Sequence, residues 1–158
     1  MHSRVLLFLA LPLAMAAAGD APLDRATLRG LGAVSVVIDR VDPALEEEGI
    51  TQSALESRLA ARLREADIKV DEKSANFVGV RVMHVRDGRR GPYALCLNLG
   101  AYQQVALARD AKVKTSTQTW EVETVLMAGT KVVYRACLDS LDELADRFVA
   151  AWRAVNGR

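Results

Sequence analysis

Two alternations of apolar residues constrain this chain more than any other feature. Val78, Val80 and Val82 recur at every second position from Asn76 to Arg86. Tyr93, Leu95, Leu97, Leu99, Val105 and Leu107 do the same from Tyr93 to Leu107. A period of two is that of a β-strand with one face in a core. Between them Arg86 to Pro92 reads as a glycine-rich turn, so the two strands are expected to pair antiparallel.

Further strands follow from the same reading. Leu31 to Asp39 is rich in β-branched residues and places Val34, Val36 and Ile38 inward. Ile68 to Val70 begins a second strand. After a polar loop, Gln118 to Leu126 turns Trp120, Val122 and Leu126 inward. A last strand is predicted from Lys131 to Leu138, with Val132, Tyr134 and Leu138 inward. Ala128, Gly129 and Thr130 would form its three-residue hairpin loop, setting Glu123 opposite Arg135 and Val125 opposite Val133.

Two helices complete the pattern. Residues from Gln52 to Ala66 repeat Leu55, Leu59, Leu63 and Ala66 on one face. Thr51 is placed to cap this helix, and Ile50 with Leu55 has the spacing of a hydrophobic staple. A strand, this helix and a strand after a short exit imply a right-handed crossover with parallel strands. The second helix is predicted to start at a Ser140/Glu143 capping box or at Asp139. Its stripe is Leu141, Leu144, Ala145, Phe148, Trp152 and Val155, and Asn156-Gly157 ends it. The expected fold is α+β: a single mixed sheet of about five to six strands in β-α-β-β-β-β-α order, with two helices packed on one face.

The first eighteen residues report an address. Arg4 precedes the apolar run VLLFLALPLAMAAA from Val5 to Ala18, and small residues lead into Gly19. This is the layout of a secretory signal peptide with cleavage options after Ala16, Ala17 or Ala18. The run falls short of the about 20 apolar residues that span a bilayer. No cysteine near the cleavage point could accept a lipid. The expected organisation is a signal peptide over residues 1–18, an extended lead-in over 19–30 and one α+β domain over 31–158. The expected location is periplasmic or secreted, with no stable membrane anchor.

Charge and composition narrow the function. Lys plus Arg number 21 against 20 Asp plus Glu, and cleavage would remove Arg4 and no acid. An even, scattered balance argues against a nucleic-acid binder, which needs a concentrated basic surface. The one basic cluster, Arg86, Arg89 and Arg90, flanks Gly88 and Gly91 and reads as a solvated hairpin loop. The acidic run Glu46, Glu47 and Glu48 reads as a solvated loop or helical turn. Asp110, Lys112 and Lys114 read as solvent-facing. His84 would be the sole imidazole after cleavage and reads as a strand-end residue with an ordinary hydrogen bond. Neither CxxC, HExxH nor G-x-S-x-G spacing occurs, so neither metal, cofactor nor enzymatic activity is expected.

Cys96 and Cys137 are the only thiols and both fall on outward strand parity, so they are candidates for a disulfide. Against this, a meander would set the strand from Gln118 to Leu126 between them, about 9.5 Å across where bridged Cα atoms stand within about 7 Å. An intramolecular bridge, free thiols and an intermolecular bridge all stay open.

The order of elements resembles the amino-terminal domain of TolB and related envelope α+β modules. The resemblance lies in the strand from Ala33 to Ile38 and in ALESRLAARLREADIKV from Ala54 to Val70. Where the helix exit of such modules often carries Ala-Gly, this chain has Ala66 and Asp67. The chain also resembles a group of uncharacterised secreted bacterial proteins in LRGLGAVSVVID from Leu28 to Asp39, LREADIKV from Leu63 to Val70, Trp120, and RFVAAWRAVNG from Arg147 to Gly157. The resemblance implies a fold and a compartment, and no catalytic residue.

The outward sheet face is less polar than a solvated sheet should be. Ala94, Cys96, Gly100 and Tyr102 lie on it, with Val125 and Val133. An interaction face around Tyr102, Val125 and Val133 is therefore expected. The functional expectation is a non-catalytic envelope module acting through protein association, with an envelope protein or itself as partner. The alternative is a small-molecule or lipid-binding protein with a pocket between sheet and helices.

Overall fold

The inward sets named above fall on one side of one sheet, except that of Lys131 to Leu138, which is not strand. A computed structural model describes residues 19–88 and 91–157, so the expected signal segment and Arg89 and Arg90 lie outside the described residues. In chain order the elements are α1 (Pro22–Ala26), β1 (Ala33–Ile38), α2 (Pro43–Glu46), α3 (Gln52–Glu65), β2 (Lys69–Val70), β3 (Phe77–Arg86), β4 (Tyr93–Leu107), β5 (Asp110–Ala128) and α4 (Val133–Asn156). The five strands order as β2-β1-β3-β4-β5. β1 runs parallel to both β2 and β3, and the β3–β4 and β4–β5 pairs are antiparallel. The sheet is mixed as expected, but the described residues hold four helices rather than two.

The crossover forms as its residues dictate. The Thr51 hydroxyl accepts the Ala54 N–H at 3.2 Å, and Ile50 and Leu55 are both buried. Helix α3 ends at a tight exit where Asp67 adopts φ 62°, the left-handed conformation that glycine takes without strain.

Several expectations need correction. The strand from Lys131 to Leu138 does not form, because α4 begins at Val133 and not at Ser140. Val133, Cys137, Leu141, Leu144, Phe148 and Trp152 make one continuous helical stripe, all buried. Packing of that stripe overrides the local alternation of Val132, Tyr134 and Leu138. Arg135 consequently sits over Asp139 one helical turn on, at 3.9 Å, and not opposite Glu123. The polar loop after Leu107 is also strand: β4 and β5 run on as a two-stranded arm, with Asp110, Lys112 and Lys114 exposed on it.

The lead-in over 19–30 is not extended either. It holds the short helix α1, with Pro22 in the first turn, where a missing N–H costs nothing. It is clipped to β5. The Gly19 carbonyl accepts the Glu121 N–H at 3.1 Å, and the Asp20 carboxylate accepts from Trp120 Nε1 at 2.8 Å and Arg25 Nε at 2.7 Å. Arg25, then Trp120, hold the Asp20 carboxyl below its usual range.

Helices α3 and α4 cover the inner sheet face. Trp120 meets Phe148 edge-on at 5.3 Å, and Trp152 donates from Nε1 to the Leu31 carbonyl at 2.8 Å. Arg58 with Asp142 and Arg62 with Asp146 join the two helices at their rim. Truncating a buried aromatic removes both its apolar contacts and this hydrogen bond. Trp152→Ala should therefore lower stability by about 3–5 kcal/mol, read as a shifted urea midpoint. Trp152→Phe should cost distinctly less.

Candidate interaction face

Strand register, not sequence distance, assembles the other side of the sheet. Met83, Cys96 and Val125 stand side by side across β3, β4 and β5. One pleat further on stand Val85, Ala94 and Met127. These two rows form a continuous apolar patch, and no described element covers it. Met83 is 49% exposed, Val85 73%, Val125 71% and Met127 74%. A sheet face that meets only water alternates to polar residues, which this end of the sheet does not.

Polarity rises along the strands in the opposite direction. The next row is Arg81, Asn98 and Glu123. Arg81 Nε donates to Asp39 at 2.7 Å. Behind it the Glu121 carboxylate accepts from Asn98 Nδ2 at 2.9 Å and Gln118 Nε2 at 2.6 Å. Tyr102 closes the network by donating to Gln118 Oε1 at 3.1 Å and stacks flat on Phe77, with ring centroids 4.6 Å apart. A Cβ on Gly79 would stand 2.9 Å from the Tyr102 ring, so glycine is what lets the ring lie on the backbone.

The three residues expected on the face fare differently. Val125 lies on it and is exposed. Tyr102 lies on it half-buried, engaged by Phe77 and Gln118. Val133 does not lie on it: as the first residue of α4 it is fully buried under the sheet. Met83, Val85 and Met127 complete the patch and were not singled out from sequence. The signal for them was available, since each has outward parity next to an inward residue of its strand.

The disulfide is also corrected. Cys96 is half-buried on the outer face, Cys137 is buried on α4 against the inner face, and both thiols are free. The early start of α4 turns Cys137 into the core, where burial pushes its thiol up to about 11.

His84 is half-buried with its ring 5.7 Å from that of Tyr93. Tyr93 donates to Glu48 at 2.9 Å and accepts from Arg86 at 2.7 Å, tying the acidic run to the end of β3. An open cleft of about 450 Å³ lies beside His84, Met83 and Arg40, at the rim of the apolar patch. Another, of about 230 Å³, lies where Glu56 and Arg64 of α3 overhang the edge of β1. Among the described residues no three His, Cys, Asp or Glu side chains gather as a metal site needs, and no helix is long and apolar enough to cross a membrane.

No family model and no curated protein matches the chain. Solved structures do. A PelC dodecamer variant from Paraburkholderia phytofirmans has a TM-score of 0.50 at 12% identity, over 75% of this chain and 88% of that one. A second PelC dodecamer structure from that organism gives 0.43 at 11% identity, over 73% and 87%. A minor lipoprotein from Acinetobacter baumannii gives 0.28 at 12% identity, over 76% and 92%. The chain thus shares a distant α+β fold with a bacterial protein, a likeness that does not single out TolB.

The two thiols report the two sides of the sheet. In the folded single chain at high dilution a maleimide should modify one thiol, Cys96, and two after unfolding in guanidinium. Intact mass with peptide mapping checks this.

Proposed function

We propose that the protein is an exported, non-catalytic module that works by protein association through the outer face of β3, β4 and β5. The observation that carries this reading is the uncovered double row of Met83, Cys96, Val125, Val85, Ala94 and Met127. Among the described residues helices α3 and α4 serve only the inner face, which leaves the covering of these side chains to another chain. Removing such a patch from water supplies about 25 cal/mol per Å², the main drive of most associations.

Other observations support it. PelC, with which the chain shares its fold, was solved as a dodecamer. The signal layout of residues 1–18 supports a site of action in the periplasm or outside the cell, where envelope proteins are the available partners. The resemblance to TolB-like envelope modules agrees with that compartment.

Val125→Lys with Met127→Lys tests the reading. Both positions are exposed, so the fold should keep its stability within about 0.5 kcal/mol. Crosslinking in intact cells should give protein adducts with wild type and lose them with the variant, because association would bury unpaired ammonium groups. Adducts that persist in the variant, or a wild type that forms none, would overturn it.

A further inference from the structure

We propose that the occupant of the apolar face is a second copy of this chain, seated face to face about a two-fold axis that runs along β4. The proposal rests on the reading of that face as an association surface and names its partner.

The pattern of residues about β4 selects this arrangement. A two-fold along β4 exchanges β3 of one copy with β5 of the other while keeping each row at its own level. Met83 then meets Val125 of the second copy, and Val85 meets Met127 of the second copy. Each apolar contact sets a long side chain against a short one, which keeps the spacing between sheets even. The same operation brings Arg81 to Glu123 of the second copy, a cation to a carboxylate, and does so twice. Asp39 takes only Nε of Arg81, and a guanidinium carries five N–H donors, so a second carboxylate can be received.

Other axes do worse. A two-fold lying along the charged row sets Arg81 on Arg81 and Glu123 on Glu123. One lying between the two apolar rows keeps the apolar match but slides the sheets apart. That leaves Gly79, Tyr102 and their neighbours without a facing strand. Overlap matters because the area is limited. The 10 residues of β3 at about 3.4 Å each, and three strands about 4.8 Å apart, give a projected face of roughly 34 by 14 Å. With the relief of its side chains this reaches the order of a specific interface, about 800 Å² per partner, only if the strands overlap along their whole length.

Sheets packed face to face lie about 10 Å apart. Cys96 falls on the axis and would face its own copy across that gap. The Cα atoms are then too far apart for a disulfide, which needs them within about 7 Å, and the two thiols are closed off from solvent between the sheets. Cys137 is buried, so Cys96 serves as the native reporter.

The test uses the protein recovered from the exported fraction. Sedimentation equilibrium should show a dimer, and a maleimide should modify Cys96 about tenfold or more slower where the dimer forms than after dilution to monomer. Arg81→Glu and Glu123→Arg should each weaken the dimer about tenfold or more, and the double exchange should restore it to within about threefold. Glu123→Arg leaves the Arg81–Asp39 pair intact, so it separates loss of the contact from local damage. A chain monomeric at every concentration overturns the proposal, as does a double exchange no better than the single ones. If that monomer still forms adducts that Val125→Lys and Met127→Lys abolish, the association face stands and only the second copy falls. If it forms none, both fall.

Discussion

Helix α4 lies along the inner side of β4 and β5, where Phe148 meets Trp120 and Trp152 reaches the Leu31 carbonyl. The rest of the molecule is arranged around that contact. The sheet presents one continuous apolar face, and α3 and α4 cover it side by side, joined by Arg58–Asp142 and Arg62–Asp146. The lead-in is fastened to the same place, since Asp20 accepts from the indole that Phe148 touches. Asp20 has a depressed carboxyl pKa, so this fastening is complete above the usual Asp range and is lost as pH falls through the lowered value. Because all the helical cover goes to one side, the other side is bare. The candidate site follows from an economy of helices.

Legibility from sequence tracked burial. β3 and β4 were readable because their inner residues alternate against a half-exposed face, and α3 because its cap and stripe agree. The left-handed turn at Asp67 was not legible, because Asp marks that conformation far less sharply than glycine does. Helix α1 has five residues and buries none of them, so no periodicity marks it. The arm of β4 and β5 beyond Tyr102 reads as loop on its β5 side, because lysines, threonines and serines exposed on both faces carry no alternation.

The errors at the site share a single origin. Val132 to Leu138 fits a period of two and also a period of 3.6, and β-branched residues favour the first locally. Only the stripe from Val133 through Trp152, taken whole, decides for helix. That one choice moved Val133 from the face to the core, separated Glu123 from Arg135 and took Cys137 away from Cys96. Parity on β3, β4 and β5 did not depend on it, and so the apolar character of the outer face remained readable.

The placement of the thiols has a consequence for how the chain must mature. Once α4 is seated, a whole sheet stands between Cys96 and Cys137, and neither can reach the other. Only a chain that has not yet folded can join them. In an oxidising compartment folding therefore races an oxidant. Domains with this mix of local and distant pairings fold in milliseconds to seconds, whereas disulfides form over seconds to hours. The fold wins when α4 docks promptly, and a chain that loses the race is locked out of its native state until the bond is reduced. The same sheet whose outer face is bare is thus the barrier that, once formed, keeps the two sulfurs from trapping the chain.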